Sequence, residues 1–426
     1  MVQPKGNLES SRSKLKDSAN RLVIYSSLNL DGRAGASFQR LRSYADALNS
    51  KNVEVYFSSI YFGQGEYKSL EGSPLNFIAT KRVKRNPSKI ATLIGDQFAF
   101  RSHWNYCKSI SQKHVSGKAK PISILVYPSS FASVIVPIIY FLKSSSVRLV
   151  VEKNELSYAV YSNRQIPGKG LTKLVLSFVN QLNLQIAKWS DYSVQYFDGV
   201  ICISTALEKR YKKKINTIRV PILAKPITAI TKRRGSESDT KVLCYTGVIA
   251  DNKDKLTTVL DALGSLKKEG RNFQFNIYGP SSNSSRQRLI KAISENDLND
   301  RVFYHGAVDG RKAMEVQIQS DLLIALRTVN MQNTYGFSTK LAEYLHSGTA
   351  VMTTDVGDNR KYLRDFQNAI VLSAELLSKE TVTQSLNEIL KLPIKELFEI
   401  GNRGKEMAQN YFSAEKYSSD LFDFFF

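Results

Sequence analysis

Cysteine is scarce in this chain, and it is never clustered. Three cysteines are spread over 426 residues, at Cys107, Cys202 and Cys244, and no two of them form a CxxC pair. This spacing argues against a disulfide framework and against a zinc site built from cysteine pairs. Isolated cysteines are typical of proteins in a reducing compartment, so we expect a cytoplasmic protein.

Long hydrophobic runs are also lacking. The longest apolar stretch runs from Phe131 to Leu142 and contains Pro137, so it falls well short of the ~20 residues that a membrane-spanning helix needs. We interpret it as a buried helix. Residues 1–19 are polar and show no secretory signal, and we expect them to form a flexible tail.

Acidic residues are few relative to basic ones, 38 against 60, which gives a formal net charge of +22. The basic runs lie at 81–85, 208–214 and 232–234. Nucleic acid, an anionic membrane surface and phosphorylated substrates are the three partners that such charge suggests. A solvated basic face without a specific partner is the alternative. The chain lacks a helix-turn-helix, zinc-finger or RNA-stacking motif, so nucleic-acid binding rests on charge alone.

Two series of alternating strand and helix patterns are what the sequence does contain. Strand patterns fall at 21–28, 52–60, 122–128, 147–153 and 199–204, then at 241–249, 273–280, 301–308 and 321–326. Helix patterns fall at 38–51, 131–143, 171–192 and from Thr205, which Ser204 would cap, then at 256–270, 286–298 and 311–319. This alternation predicts an α/β fold of doubly wound, mostly parallel sheets covered by helices.

A polar, basic stretch at 224–240 separates the two series. We therefore predict a Rossmann-like domain at 20–225, a second one at 226–410, and a final helix at 411–426 that packs back on the first domain. A length of 426 residues suits two or three domains at about 150 residues each. Parallel sheets bind ligands at the carboxyl ends of their strands, so the cleft between the domains is the expected site.

The segment YGFSTKLAEYLHSG, which begins at Tyr335, combines an anion site with a carboxylate. Ser338 or Thr339 would start a helix whose free N–H groups and dipole attract negative charge. Lys340 adds a full positive charge, and Glu343 lies one turn further along the same face. We predict that the helix start and Lys340 hold a diphosphate while Glu343 accepts from ribose hydroxyls. A solvent-exposed Lys–Glu pair, worth about 0.2–0.5 kcal/mol, is the alternative.

Two glycine-containing loops follow predicted strands. Gly247 is followed by a loop in which Lys253 or Lys255 would reach a phosphate, although an ordinary polar turn has the same composition. Arg33 and Gly35 lie in DGRAGAS, where glycine lets a backbone approach a ligand closely. That loop is not a GxGxxG dinucleotide fingerprint.

A pair of acids marks the end of the strand pattern at 147–153. Glu152 and Glu155 would bind or activate a substrate hydroxyl there. An exposed acidic loop is the alternative interpretation.

The order of these elements resembles the retaining GT-B-fold glycosyltransferases of family 4, over nearly the whole chain. The matching segments are DGRAGASFQRLRSYADAL, DGVICIST, YTGVIADNK, HGAV, SDLLIAL and GFSTKLAEYLHSGTAVMTTDVGDN. The last is similar to the family's donor motif, two glutamates separated by seven residues. Here Tyr335 replaces the first glutamate, Val248 stands near the position of a family arginine, and Asn154 and Glu155 stand where many members have a histidine.

The resemblance implies a hexosyl-type transferase that moves a sugar from a nucleotide diphosphate sugar to an acceptor hydroxyl with retention, in bacterial-type surface polysaccharide or glycolipid assembly. It implies a catalytic set of Lys253, Lys340 and Glu343. It implies donor binding by Gly35, Gly247, Lys253, Phe337, Ser338, Thr339, Lys340 and Glu343, in the C-terminal domain apart from Gly35. It implies acceptor binding in the N-terminal domain by Arg33, Glu152, Asn154 and Glu155. No metal or other cofactor is expected.

A lipid-linked acceptor would bring such an enzyme to the inner face of a membrane, where its basic runs would meet anionic lipid. The helix pattern that ends near Trp189 is then either an interfacial helix or a core helix. Three other functions stay open at this point. They are a nucleic-acid-binding protein, an inactive scaffold of the same fold, and a sugar-nucleotide epimerase.

Overall fold

The computed structural model describes residues 20–26, 36–59, 75–78, 122–127, 147–162, 169–224, 240–249 and 254–426. In the described residues the strands form two sheets. The first contains β1 (Asn20–Ser26), β2 (Val53–Ser59), β3 (Leu75–Ile78), β4 (Ile122–Val126), β5 (Val147–Lys153), β6 (Gly199–Cys202) and β7 (Thr217–Arg219). The second contains β8 (Lys241–Thr246), β9 (Phe273–Tyr278), β10 (Val302–Gly306), β11 (Leu322–Ala325), β12 (Ala350–Thr354) and β13 (Ile370–Leu372).

The strand order is β3-β2-β1-β4-β5-β6-β7 in the first sheet and β10-β9-β8-β11-β12-β13 in the second. β1 pairs in parallel with both β2 and β4, and β8 pairs in parallel with β9 and β11. Both orders reverse direction next to their first strand, β1 or β8, which is the doubly wound arrangement. The α/β fold class predicted from the alternating pattern is confirmed.

Helices connect the strands. In the first series they are α1 (Ala36–Asn49), α2 (Ala159–Ser162), α3 (Gly170–Ser193) and α4 (Thr205–Tyr211). In the second they are α5 (Leu256–Lys268), α6 (Asn283–Glu295), α7 (Gly310–Ile318), α8 (Met331–Tyr335), α9 (Thr339–Ser347), α10 (Asn359–Tyr362), α11 (Lys379–Lys391), α12 (Ile394–Tyr411) and α13 (Ser418–Phe425). No helix in these described ranges has the length and hydropathy that crossing a membrane would require.

Local sequence signals explain most of these boundaries. β5 has the bounds that the apolar run predicts, and the predicted cap of α4 is present, since Ser204 Oγ accepts from the Leu207 N–H. The largest discrepancies are about three residues, as for α6, because helix and strand ends depend on caps that periodicity does not report. The short elements β3, β7, α8 and β13 were not predicted from the sequence pattern. The predicted helix at 131–143 and the tail at 1–19 lie outside the described residues.

The chain divides into two compact units. One comprises the described parts of 1–129 and 137–150 together with 418–426, and the other comprises the described part of 151–417. In the first unit, Arg148 lies over the ring of Phe424 at 5.5 Å, and Ser123 Oγ donates to the Phe425 carbonyl, so α13 packs there. The predicted domain boundary near 226, and the cleft expected across it, stay predictions.

The central strands of the second sheet are buried on both faces. Tyr245, Phe275, Ile324 and Met352 come from adjacent strands and are almost completely buried. The amphipathic faces of α5 and α11 supply further leucines and isoleucines to this core. Burial on both faces explains why these strands read as continuous apolar runs rather than as alternating ones.

Candidate functional site

The helix α9 is fixed against the carboxyl end of β8 by one buried tyrosine. The Tyr344 hydroxyl accepts from the Thr246 N–H at 2.7 Å and donates to the Thr246 carbonyl at 3.0 Å. Gln317 Nε2 donates to Thr246 Oγ1 at 2.7 Å, so the strand end is held from two sides. The helix ends at Gly348, whose φ of +73° is the left-handed conformation that glycine adopts readily. These contacts position the preceding residues of α9 beside the loop after β8.

Gly247 and Lys340, both predicted donor residues, lie in direct contact. Gly247 has φ +148°, and a Cβ added there would stand 2.5 Å from Cε and Nζ of Lys340. Its carbonyl in turn leaves no room for a side chain at Gly279, where an added Cβ would stand 1.8 Å away. Glycine is therefore favoured at the tip of β8, because other residues rarely adopt this φ and because a side chain there would displace the end of the Lys340 side chain.

Lys340 belongs to a buried charged cluster that the sequence patterns did not reveal. Its Nζ forms an ion pair with Asp254 Oδ2, donates to the Tyr245 hydroxyl and lies 3.9 Å from the centre of the Tyr245 ring. Asp254 Oδ1 accepts from Arg327 Nε at 3.1 Å, and Asp254 Oδ2 accepts from the Tyr245 hydroxyl at 2.7 Å. Two cations thus share one carboxylate, which leaves the cluster with a net positive charge.

The cluster shifts the pKa of each member. Burial would raise the pKa of Asp254, but Lys340 and Arg327 outweigh it, so its pKa lies below the usual value. Burial lowers the pKa of Lys340, and Asp254 opposes that change. The Tyr245 hydroxyl has its pKa raised by burial and by the Asp254 charge, so it remains a neutral donor. Asp254 is therefore ionised and anchors both cations.

Glu343 lies one turn along α9 from Lys340 but does not pair with it. The residue is exposed, yet the surrounding protein removes enough hydration to raise the pKa of its carboxyl, against the opposing charge of Lys340. Among the described residues its carboxylate has no hydrogen-bond or ion-pair partner. The alternative of a simple Lys340–Glu343 surface pair is thus not observed.

The start of α9 presents a buried hydroxyl. Ser338 is the N-cap residue, but its side chain does not cap the helix, and its Oγ is buried without a hydrogen-bond partner. Thr339 is the first helical residue. The Phe337 ring packs edge-on against Phe412 and Tyr362, with centroids 5.4 Å and 6.0 Å away. Phe337 therefore fixes the backbone that leads into the helix start.

The residues at the end of β5 have different surroundings. Glu152 is fully buried within the strand, which leaves its carboxylate no surface for direct contact with an acceptor. Asn154 and Glu155 follow the strand and are partly exposed. Glu155 Oε2 accepts from Gln332 Nε2 at 2.7 Å, which ties this loop to α8.

Tyr335, which stands where the family has its first glutamate, contributes its backbone rather than a carboxylate. Its carbonyl accepts from Ser204 Oγ at 2.6 Å. The neighbouring Thr205 donates its N–H and its Oγ1 to Asp358 Oδ2, at 2.8 Å and 2.9 Å. The start of α4 is thus held by Tyr335 and Asp358 of the second series of elements.

Three predicted site residues, Arg33, Gly35 and Lys253, lie outside the described residues. The contacts that the sequence did not reveal come from Tyr245, Asp254, Arg327 and Tyr344. Of these only Asp254 carried a signal, as an acid in the loop after β8. The described part of the chain holds no group of three His, Cys, Asp or Glu side chains arranged to bind a metal ion.

The sequence and the fold were both compared with those of known proteins. Residues 226–407, which contain α9 and the Asp254 cluster, match the family model described as glycosyl transferases group 1. No curated protein sequence matches the chain.

Solved structures resemble the chain along almost its whole length. Sucrose-phosphate synthase from Thermosynechococcus elongatus is 14% identical, with 95% of this chain and 98% of that chain covered and a TM-score of 0.67. HepE from Anabaena in complex with UDP is 14% identical, with coverage of 95% and 99% and a TM-score of 0.62. A glycosyltransferase from Rickettsia africae is 14% identical, with coverage of 96% and 97% and a TM-score of 0.61. The chain therefore has the α/β fold of GT-B glycosyltransferase structures, and its residues 226–407 are similar to the group 1 glycosyltransferases.

Proposed function

We propose that this chain is a glycosyltransferase that moves a hexosyl group from a nucleotide diphosphate sugar to an acceptor hydroxyl, with retention at the anomeric carbon. The observation that carries the proposal is the placement of α9, whose N-terminus, Lys340 and Gly247 meet at the carboxyl end of β8. In doubly wound sheets that edge binds ligands. The match of this segment to group 1 glycosyltransferases, and the UDP bound by the HepE structure, support a nucleotide diphosphate as the leaving group.

The leaving group dictates the electrostatics of the site. The bond between the anomeric carbon and the diphosphate oxygen breaks, and its electron pair leaves with the diphosphate. The acceptor oxygen bonds to the anomeric carbon on the same face, and its proton passes to the departing diphosphate oxygen. Negative charge that develops on the diphosphate is stabilised by fixed dipoles and cations. The N-terminus of α9, the Ser338 hydroxyl and the net positive Asp254 cluster supply them here.

Lys340 can serve a diphosphate without leaving Asp254. An ammonium group has three donors, and the described contacts, to Asp254 and to the Tyr245 hydroxyl, use two of them. The third is available to a phosphate oxygen beside Gly247. Asp254 then keeps the ammonium in place, and Arg327 keeps Asp254 in place. Lys253 stays a predicted second cation for the same diphosphate.

Glu343 is proposed to accept from the ribose hydroxyls of the donor. Its carboxylate is exposed and has no partner among the described residues, as a ligand-binding carboxylate requires before the ligand arrives. A charge-assisted hydrogen bond of this kind contributes about 1.5–3 kcal/mol.

The acceptor is proposed to be a carbohydrate or a lipid-linked sugar of the kind used in surface polysaccharide or glycolipid assembly, on the cytoplasmic side of a membrane. Asn154 and Glu155 are partly exposed and are the candidates in this segment for direct contact with the acceptor. Glu152 is buried, so it would affect acceptor binding only through the residues around it. Arg33 and Gly35 stay predicted contacts. No metal is required if the helix and the cations stabilise the diphosphate, so chelation with EDTA should leave turnover unchanged.

A donor screen tests the proposal. The melting temperature is measured with UDP-, GDP- and dTDP-sugars, because a ligand that binds only the folded chain raises it. The stabilising donor is then incubated with carbohydrate and lipid-linked acceptors, and the anomeric configuration of the product is read by NMR. An inverted product would refute retention, and an epimerised donor would indicate an epimerase. Binding without turnover would indicate an inactive scaffold, and nucleic-acid binding without any donor effect would refute the proposal.

A further inference from the structure

The helix α3 exposes an apolar stripe on one side. Leu171, Leu174, Phe178, Leu182, Ile186 and Trp189 recur at intervals of three or four residues, so they lie along one face of the helix. We call these six residues the α3 stripe. All six are exposed, with 79% of Leu171 and 64% of Phe178 accessible to solvent. The core-helix interpretation is therefore wrong for this face of α3, because its large apolar side chains are exposed to solvent. A contiguous exposed apolar patch of this kind is typical of an interaction surface.

Polar contacts hold α3 with the stripe facing outward. Asp191 is buried on the side turned towards the protein, where its Oδ1 accepts from Lys153 Nζ at 2.6 Å and from the Ser157 N–H at 3.1 Å. Asn180, also buried, donates from Nδ2 to the Tyr161 carbonyl at 3.3 Å. Turning α3 about its axis to bury the stripe would separate Asp191 from Lys153 and leave buried charge without a partner. The buried contacts of Asp191 and Asn180 thus keep the stripe on the exposed side of α3.

Positive charge accompanies the stripe. An exposed lysine lies just before α3, at Lys169, and another lies at the edge of the stripe, at Lys188, whereas the only acid of the helix, Asp191, is buried. At the far end, hydrogen bonds from Tyr196 and Gln195, together with the charge of Lys214, lower the pKa of Tyr192, so Lys214 lies near that end of the helix. Lys212 and Lys213 are exposed beside it in sequence. An apolar face bordered by cations complements an anionic lipid bilayer, whose interior is apolar and whose headgroups are negatively charged.

We propose that the α3 stripe and its bordering lysines dock this protein on an anionic lipid membrane, with α3 lying in the plane of the interface. An interfacial helix buries its apolar face by about 5–10 Å while its lysines meet the lipid headgroups. Trp189 occupies the headgroup level, where the amphipathic indole ring is favoured. The inference rests on α3 alone and does not require the donor chemistry. If both hold, transfer takes place at a membrane and the acceptor is lipid-linked.

Vesicle flotation tests the docking. The full-length protein is mixed with vesicles of phosphatidylcholine alone, or of phosphatidylcholine with roughly one third phosphatidylglycerol. We expect binding to the anionic vesicles, weak binding to the neutral ones, and release from the anionic vesicles at high salt because salt screens surface charge. Equal binding to both, or to neither, would overturn the proposal.

Two exposed positions of the stripe provide the decisive variant. The double substitution Phe178→Gln with Leu182→Gln should weaken anionic vesicle binding by roughly tenfold or more, since two large side chains no longer enter the bilayer. Ile290→Gln on α6 is the matched control, because it removes an apolar side chain of similar exposure elsewhere and should change nothing. Both variants should melt as the wild type does. Full vesicle binding by the double variant would contradict the role of the stripe.

Trp189 reports insertion directly. The chain has two tryptophans, so Trp104→Phe leaves Trp189 as the sole tryptophan fluorophore. Its emission should move to shorter wavelength on anionic vesicles and stay unchanged on neutral ones. An unchanged emission on bound vesicles would show that α3 is not the docking element.

Sedimentation velocity tests whether the partner of the α3 stripe is a second copy of the chain rather than a membrane. If the wild type forms a dimer that the double variant abolishes, without binding vesicles, the stripe is a contact between copies and the proposal is overturned. Donor-induced stabilisation is measured on the same variants and should be unaltered. A failure of docking would then leave the glycosyltransferase proposal standing, and a failure of donor binding would leave the docking result standing.

Discussion

The ammonium of Lys340 and the carboxylate of Asp254, which are 86 positions apart in the sequence, form a buried ion pair at the carboxyl end of β8. Arg327 approaches the other oxygen of the same carboxylate. In the proposed diphosphate site, Asp254 therefore has the role of holding Lys340 and Arg327 in place. This arrangement explains how a lysine in a partly buried position keeps its charge.

Asp254→Asn should destabilise the fold, because it leaves Lys340 and Arg327 close together without a counter-ion. Removing one partner of a buried ion pair costs about 3–5 kcal/mol, and we expect the lower part of that range since both cations retain some exposure. Urea unfolding measures the change. Asp300→Asn is the control, as its ion pair with Lys267 lies at the surface and its loss should have little effect. A wild-type midpoint for Asp254→Asn would show that the cluster does not stabilise the fold.

The same carboxylate predicts a pH dependence. The folded pKa of Asp254 lies below its ordinary value, so the folded state binds fewer protons than the unfolded state in that range. The contribution to stability is present above the unfolded pKa, about 4, and is lost as the pH falls through the folded pKa. The difference in unfolding free energy between the wild type and Asp254→Asn should therefore narrow below about pH 4. A constant difference down to lower pH would assign the stabilisation to packing instead.

Gly247→Ala should displace Lys340 and weaken donor binding. The substitution combines an unfavourable φ with a Cβ 2.5 Å from the lysine side chain. Gly270→Ala separates the two effects, because Gly270 also has a positive φ but open space around it. Strain alone should cost about 1–3 kcal/mol in both variants, while donor-induced stabilisation should fall only in Gly247→Ala. Equal donor responses in the two variants would contradict a role for this contact.

Glu343→Gln should lower donor affinity by roughly ten- to a hundredfold, because an amide accepts a weaker hydrogen bond from the ribose hydroxyls than a carboxylate does. Calorimetric titration with the stabilising donor measures the affinity. The exposed Glu406 on α12 provides a matched control, Glu406→Gln, which should bind as the wild type does. The folded stability of both variants should be unchanged, since Glu343 has no hydrogen-bond or ion-pair partner among the described residues. Unaltered donor affinity in Glu343→Gln would remove this residue from the site.

The positions of Gly247, Ser338, Lys340 and Glu343 were predictable, because each follows from a local rule. A glycine after a strand, a hydroxyl residue before a helix, and two polar residues one turn apart are signals within a few positions of one another. The structure places Gly247 beside the Lys340 side chain, and the donor roles of both residues stay predictions. The partner of Lys340 was not predictable, since Asp254 and Glu343 are both acids and only the packing of α9 on β8 selects between them.

By itself, the sequence determined the alternation of strands and helices, the parallel α/β fold, and the segment that forms the start of α9. These features depend on periodicity, caps and turn residues, which act between neighbours in the chain. Only the tertiary structure decided that Asp254 anchors Lys340, that Glu152 is buried, and that the apolar face of α3 points outward. The physical reason is that burial and ion pairing depend on which distant elements meet, and hydrophobic periodicity is the same for a face that is covered and for one that is not.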